Sequence, residues 1–492
     1  MRTTRNIISA ILLASTCLAG AQDDKVKKPN LLFILVDDFG AMDVGYAGSK
    51  LYATPNIDSL AKDGMNFKNA YSAHPRCLPS RYGIFSGRIP GRDGVPGFQD
   101  QSTSKNALIP SRVTWGEVLK DAGYSTGYIG KWHLCKDETG TPDKQGFTDS
   151  RIAGHAGAPA SYFYPYDEAR QGKSKELFPK IEGKPGEYLT DRLTDEAIDF
   201  IEKNKAKPFA LVLAHYAVHT PIEAKPEMTD KYKNKLKDMG VLIGDGKKDA
   251  DFKTVGHGAF KTVQNHPVYA AMIESVDKGI GEIRGKLKEL GLDENTIIVL
   301  SSDHGGLSTR SIENNREVAT SNLPYRNGKG WLYEGGTRVP MLVVWPGVVK
   351  PGSVTTTQTI GIDHYPSFVE MCGAKVPDGV EIDGKSYVDV LLGKQVDRGP
   401  IYWHSPLGRP HSTGDHAASS LIDGDWKILQ FHVTGKWELY NLKTDPGELK
   451  DLSTAESETF ERMKKQLLAT QDNLGVKFRF GEYKGKGKGK NK

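Results

Sequence analysis

The sequence predicts an α/β fold in which a mostly parallel sheet is sandwiched by helices, followed by a smaller C-terminal α+β subdomain. Three observations predict it. Short continuous apolar runs such as Asn30-Leu-Leu-Phe-Ile-Leu-Val36 read as strands buried on both faces. Amphipathic stretches precede the later ones, and repeated helix-to-strand units build parallel sheets. From about Arg398 the texture shifts to two or three shorter strands with turn residues between them, then to an amphipathic helix from about Ser457 to Leu474. At 492 residues, 38% hydrophobic and 26% charged, the chain can bury one large core and a smaller one.

The N-terminal end begins Met1-Arg-Thr-Thr-Arg5, continues through the apolar run Ile7 to Leu13 and reaches Leu18-Ala-Gly-Ala21. This charge, apolar, small-residue order is that of a secretory signal, with cleavage expected after Ala21 and a periplasmic or extracellular destination. A lipid anchor at Cys17 is the alternative, although Ala14-Ser15-Thr16 is a poor match to the usual context. No segment approaches the ~18 apolar residues of a transmembrane helix. The main unit is expected over residues 28–397, the smaller subdomain over 398–480 and a disordered basic Gly-Lys tail over 481–492.

Strand Asn30–Val36 ends in Asp37-Asp38 and is followed by a helix with Thr54 as N-cap and Pro55 in its first turn. Further units are the helix in "SRVTWGEVLKDAGY" with strand "STGYIGKWHL", "LTDRLTDEAIDFIEKN" with "PFALVLAHYAVHTP", and "VYAAMIESVDKGIGEIRGKLKELG" with "NTIIVLSSDHGG". "TRVPMLVVWPG" reads as one more strand. Two irregular insertions, roughly 135–187 and 224–265, interrupt the pattern and are expected to select substrate.

The formal charge of +5 misleads, because two leader arginines and five tail lysines account for more than all of it and leave −2 for the body. A nucleic-acid-binding protein is therefore not indicated. Removing the leader leaves Cys77, Cys135 and Cys372. Three cysteines cannot all pair internally, so one is set apart, while Cys135 and Cys372 read as buried small hydrophobes.

Every chemical motif lies at a strand end, the edge at which open α/β sheets bind ligands. Asp37, Asp38, Asp303 and His304 place carboxylates and an imidazole at two such ends, which favours a hard divalent cation such as calcium or magnesium. Arg81, Lys131, His133, His219 and Lys329 add cations suited to a tetrahedral oxyanion ester, sulfate or phosphate.

Cys77-Leu-Pro-Ser-Arg81, followed by Gly87-Arg88, resembles the signature of type I sulfatases, in which the cysteine is oxidised to formylglycine. The resemblance extends through Asp37-Asp38, "GKWHL", the His219 loop, "SSDHGG", "NGKGWLYEGGTRVP" and "ELYNLKTDPGE", and implies an alkaline-phosphatase-like fold. It further implies that Cys77, matured by a formylglycine-generating or sulfatase-maturing enzyme, supplies a gem-diol beside a cation held by Asp37, Asp38, Asp303 and His304. Arg81 and Lys131 would steady the diol. His219, with Lys329 helping to bind sulfate, would protonate the leaving alcohol, and His133 would take the remaining diol proton. His304 departs from the Asn that many relatives carry there.

The expected substrate is a sulfated glycan, with a carrageenan-type galactan as the leading reading and His404, Arg409, His411 and His416 as candidate contacts in the C-terminal subdomain. A phosphonate or phosphate ester hydrolase of the same fold and a glycan-binding pseudoenzyme are the alternatives.

Overall fold

The computed structural model describes residues 28–95, 107–166, 181–247, 251–255, 258–314 and 316–478. The expected leader 1–21, the Cys17 anchor and the tail 481–492 lie outside the described residues. Four long strands form the middle of an eight-stranded sheet among the described residues: β1 (Asn30–Val36), β2 (Ser125–Gly130), β3 (Phe209–Ala214) and β4 (Thr296–Ser302). They lie in the order β4, β1, β3, β2, and every neighbouring pair is parallel. Parallel neighbours require crossovers, which the intervening helices provide.

All seven residues of β1 are buried, because both faces of the sheet are covered. Leu32, Ile34 and Val36 pack into one core with the helices Pro55–Asp63, Leu189–Asn204 and Pro267–Glu289. Leu31, Phe33 and Leu35 point the other way, into a core shared with Cys77–Ser86, Trp115–Asp121 and His364–Met371. Alternation with a period of two therefore serves two apolar layers at once.

The strand Met341–Val344 runs antiparallel to β4. Its direction follows from the segment before it, which is tied to the C-terminal edge of the sheet where Gly305 N donates to Gly336 O at 3.0 Å. A chain that enters from that edge can only run back across the sheet.

Two expectations about organisation need correction. The insertion 224–265 is not simply irregular, since it holds the helix Pro226–Asp238 and the hairpin Phe252–Val255/Gly258–Lys261. Met228, Tyr232 and Leu236 recur every four residues and form its buried stripe, with Pro226 in the first turn. The C-terminal sheet has four strands rather than two or three: Ile401–Ser405, Ala418–Asp423, Trp426–Phe431 and Trp437–Asn441. "SSLIDGDWKILQF" contains two of them, joined by a turn in which Gly424 takes φ +58°.

One face of this sheet is covered by the helix Ser457–Leu474, and the other packs on Tyr71, Trp331 and Tyr333 of the larger unit. Across that second face Lys427 pairs with Glu334 and Glu448, each at 2.8 Å, with all three side chains buried. No described helix is long and apolar enough to cross a membrane.

Candidate active site

The parallel register aligns the ends of four strands. Val36 of β1 pairs with Ser302 of β4, and Gly130 of β2 pairs with Ala214 of β3. The chain just beyond each strand thus delivers Asp37-Asp38, Asp303-His304, Lys131 to His133 and His215 to His219 to one edge. Backbone bonds continue past the sheet: Asp303 N donates to Val36 O at 3.2 Å, Asp37 N to Ala217 O at 3.0 Å and Lys131 N to Ala214 O at 2.8 Å. Trp132, between Lys131 and His133, sinks into an aromatic cluster with Phe85, Tyr128 and Phe147 and donates its indole N–H to Gly140 O at 2.9 Å. It anchors the loop that carries the two polar side chains.

The helix α1 (Cys77–Ser86) starts over this edge. Arg76 is its extended N-cap residue, and Pro79 falls in the first turn, where a missing N–H costs no helical bond. Gly87 ends the helix with φ +67°. Two side chains of α1 lock it to β4: Ser80 Oγ donates to Asp303 O at 2.5 Å, and Arg81 Nε donates to Asp303 Oδ2 at 2.9 Å. Arg81 Nη1 also donates to Lys131 O at 2.5 Å. Cys77 is thereby held against His304, its Sγ 3.1 Å from Nε2, with a ring nitrogen of His219 within 4.8 Å of the same sulfur and His133 near enough to feel its charge.

The polar groups pair across the strand ends. Lys131 Nζ pairs with Asp37 Oδ2, and Lys329 Nζ reaches Asp38 Oδ1 at 2.6 Å and Oδ2 at 2.9 Å. Burial alone would raise the Asp38 carboxyl, but Lys329, His219 and His304 outweigh it and hold it well below the usual carboxylate range. Asp37 moves upward, through burial and the neighbouring Asp303 charge, which Lys131 offsets only in part. Burial pushes His133 down to about 3, so its imidazole is neutral near neutral pH. His219 is lowered by burial and by Lys329, whereas His304 is raised against its burial by Asp303, Cys77 and Asp38.

The donor set fits a divalent cation. Ligand atoms of Asp37, Cys77, Asp303 and His304 all lie within 4.8 Å of one another, and so do those of Asp38, Cys77 and His219. Among the described residues Asp37 Oδ1 is buried without a hydrogen-bond partner, a costly condition for a carboxylate oxygen that a cation would remove. His304 Nδ1 lies 3.0 Å from the carbonyl of Gly305, which can only accept, so the proton sits on Nδ1 and Nε2 offers its lone pair. That Nε2 faces Asp38 Oδ1 at 3.2 Å and Asp303 Oδ1 at 3.6 Å. Carboxylate oxygens dominate, as a hard cation prefers.

The structure gathers Asp37, Asp38, Cys77, Arg81, Lys131, His133, His219, Asp303, His304 and Lys329 at this edge. The four C-terminal candidates divide. His404 is corrected to a packing role: it is buried, Nδ1 lies 2.8 Å from Ser419 Oγ and Nε2 lies 3.2 Å from Lys477 O, with His432 and Phe478 against its ring. His411 is also set apart, exposed and facing the exposed Glu313 at 3.0 Å. Arg409 and His416 stay closer, bracketing Asp415 on a loop whose Thr413 carbonyl accepts from Trp331 Nε1 at 2.9 Å.

Three contributors escaped the sequence reading. Asn322 donates from Nδ2 to the carbonyls of Gly306, Asn327 and Gly335 and so holds the turn that presents Lys329. Gly157 lies against the ring of His133, where a Cβ would come within 2.7 Å of Cε1. Arg76 is buried beside Cys77 and paired to Asp415. Nothing in residue spacing marks the first two; Arg76 adjoins the cysteine motif and was open to notice.

Comparison with known proteins agrees with this geometry. The family described as Sulfatase matches residues 29–374, and the family described as N-sulphoglucosamine sulphohydrolase, C-terminal, matches residues 327–473. The chain is 30% identical to a protein of Formosa agariphila named Sulfatase, covering 92% of this chain and 90% of that one. It is 30% identical to the N-acetylgalactosamine-6-sulfatase of Homo sapiens, covering 85% and 75%. The crystal structure of Ps i-CgsB superposes with a TM-score of 0.74 at 30% identity, covering 93% and 96%; a second structure of that protein, in complex with k-i-k-neocarrahexaose, gives 0.73.

Proposed function

The chain belongs to the sulfatase family and is a sulfuric ester hydrolase, and from that premise we propose that it is an exported enzyme that desulfates a polysaccharide, with Cys77 matured to formylglycine. A carrageenan-type galactan is the leading substrate, supported by the likeness to Ps i-CgsB, whose structure holds a neocarrahexaose. The observation that carries the mechanism is the gathering of His304 and His219 around the Cys77 sulfur beside three carboxylates.

Asp37, Asp38, Asp303 and His304 would hold the divalent cation, most simply calcium, which supplies Lewis-acid polarisation of the sulfate oxygens. Formylglycine at position 77 supplies a hydrated aldehyde, one hydroxyl to attack sulfur and a second whose deprotonation expels sulfate, which serine lacks. Arg81, fixed by Asp303 and by the Lys131 carbonyl, and Lys131 itself stabilise negative charge at this position without needing to move. Lys329 Nζ binds the ester from the Asp38 side.

His219 is the general acid. Its Nδ1 donates to Thr220 O at 2.7 Å, and Nε2, 3.8 Å from Asp38 Oδ2, carries the proton for the departing sugar oxygen. A sugar alkoxide leaves poorly without that proton. His133, kept neutral by burial, is the base for the remaining hydroxyl proton.

The deciding experiment is mass spectrometry of the Cys77 peptide from the native host, where conversion lowers the mass by about 18 Da. An unconverted thiol in active enzyme sinks the formylglycine mechanism. Rates on matched sulfate and phosphate monoesters form the companion test, in which a phosphate preference overturns the proposed substrate class.

A further inference from the structure

The turn that carries His219 is held from two sides. Toward the sheet, Val218 N donates to Asp37 O at 2.8 Å and Asp37 N to Ala217 O at 3.0 Å, which ties the turn to the end of β1. Toward the insertion 135–187, Tyr162 donates its hydroxyl to Tyr216 O at 2.7 Å and to His219 O at 2.9 Å. One proton is thus shared between the carbonyls at the two ends of the turn, which His219 N closes by donating to Tyr216 O at 3.1 Å. Tyr162 is buried, and at such a position solvent does not stand in for a lost hydroxyl.

Tyr162 is itself fixed on several sides. Its backbone N and Ser161 Oγ both donate to Glu223 Oε2, each at 2.8 Å, so the carboxylate four positions beyond His219 returns to the same segment. Tyr162 O accepts at 2.8 Å from the N–H of Leu189, the first residue of helix Leu189–Asn204. Tyr188, its ring centroid 6.0 Å from that of Tyr162, donates its hydroxyl to Glu223 O at 2.8 Å. The insertion grips the chain on both sides of the proposed acid and leaves the ring open: 15% of the His219 side chain is exposed, and Nδ1 turns to Thr220 O at 2.7 Å. A general acid works only within hydrogen-bond reach of the departing oxygen, and a misplacement of ~1 Å costs about 10²-fold.

We propose that Tyr162 is a positioning residue for the general acid: its hydroxyl fixes the turn that aims His219 Nε2 at the departing oxygen, and so governs how well poor leaving groups are protonated. This rests on the reading of His219 as the acid of a sulfatase. The insertion, expected from the sequence to select substrate, thereby acts on the chemical step as well.

The test uses three substrates that differ in how much the leaving oxygen needs a proton: 4-nitrophenyl sulfate least, phenyl sulfate more and a carrageenan oligosaccharide most. Tyr162→Phe removes one oxygen and keeps the buried ring. Its kcat should fall by about tenfold or more on the two demanding substrates, with KM within about twofold, but by about threefold or less on 4-nitrophenyl sulfate. A damaged fold lowers all three alike. Because Tyr162 acts through His219, adding Tyr162→Phe to His219→Ala should change phenyl sulfate turnover by about twofold or less. Glu223→Ala loosens the grip from its other end and should reproduce the selective loss, while Glu223→Gln keeps an acceptor oxygen and should restore most of the rate. Equal losses on all substrates, no loss on phenyl sulfate, a Glu223→Ala variant without the selective loss, or a double variant well below His219→Ala alone overturns the positioning role and leaves the sulfatase reading intact. If His219→Ala itself slows 4-nitrophenyl and phenyl sulfate equally, the acid assignment fails and this proposal falls with it. A wild type silent on the oligosaccharide overturns the galactan substrate, and the aryl pair still decides the role of Tyr162.

Discussion

Lys329 and Asp38, 291 positions apart, form a buried bifurcated ion pair, with Nζ 2.6 Å from Oδ1 and 2.9 Å from Oδ2. The lysine therefore neutralises a carboxylate that also belongs to the candidate cation site. Lys329→Met removes both a charge at the ester and the partner of a buried anion. We expect kcat/KM to fall by about 10²–10³-fold. Cation-free protein should lose about 3–5 kcal/mol of stability, and less when calcium is present to share the Asp38 charge. Urea unfolding with and without calcium reads the difference, and equal losses in both states count against a shared charge.

The two histidines proposed as base and acid predict an acidic working range. His133 must be neutral to act as base, and its pKa of about 3 leaves it so throughout ordinary assay conditions. His219 must be protonated to act as acid, and burial with Lys329 holds its pKa below the ordinary 6.5. A lowered pKa means that the proton is lost earlier as pH rises, so kcat/KM should climb as pH falls below 6.5. In His219→Ala the alkaline limb should vanish for sugar sulfates. A profile flat from pH 5 to 8 in wild type would remove His219 from the acid role.

Chelation should both inactivate and destabilise the enzyme. Asp37 Oδ1 has no hydrogen-bond partner among the described residues, and a cation present at a thousandfold over its Kd contributes about 4 kcal/mol to the folded state. Treatment with EDTA should lower the thermal midpoint and abolish turnover, with calcium restoring both. Asp37→Asn should raise the calcium concentration needed. An unchanged requirement, followed by calorimetric titration, excludes Asp37 as a ligand.

Lys427 is a stability residue at the junction of the C-terminal sheet with the larger unit. Lys427→Met strands buried Glu448 beside Glu334, which keeps Arg338 as a cationic partner, and should cost about 3–5 kcal/mol. Additional replacement of Glu448 by Gln should recover part of that loss by removing one of the two like charges. A double variant as unstable as the single one contradicts the charge argument.

The strand-end carboxylates were legible in the sequence because a continuous apolar run that stops abruptly in charge has few places to go in a fold. The head of α1 was legible for a similar local reason, with Pro in the first turn and a glycine cap. His404 misled because its sequence neighbours are polar, yet every residue of its strand is buried between a helix and the larger unit. The Arg76–Asp415 pair spans 339 positions and leaves no trace in local pattern. Helix Pro226–Asp238 was hidden by its many lysines, although its four-residue apolar stripe was there to be counted.

The contact between Cys77 and His304 bridges 227 positions of chain. In the finished fold Cys77 is 7% exposed and ringed by histidines, out of reach of another protein that must grip its flanking residues. During synthesis the order of events is different. The cysteine emerges long before β4 exists to cover it, and stays open until the last central strand arrives. If Cys77 is matured as proposed, folding acts as a clock for that chemistry: a maturing partner would have to work on the nascent chain, before β4 closes against β1.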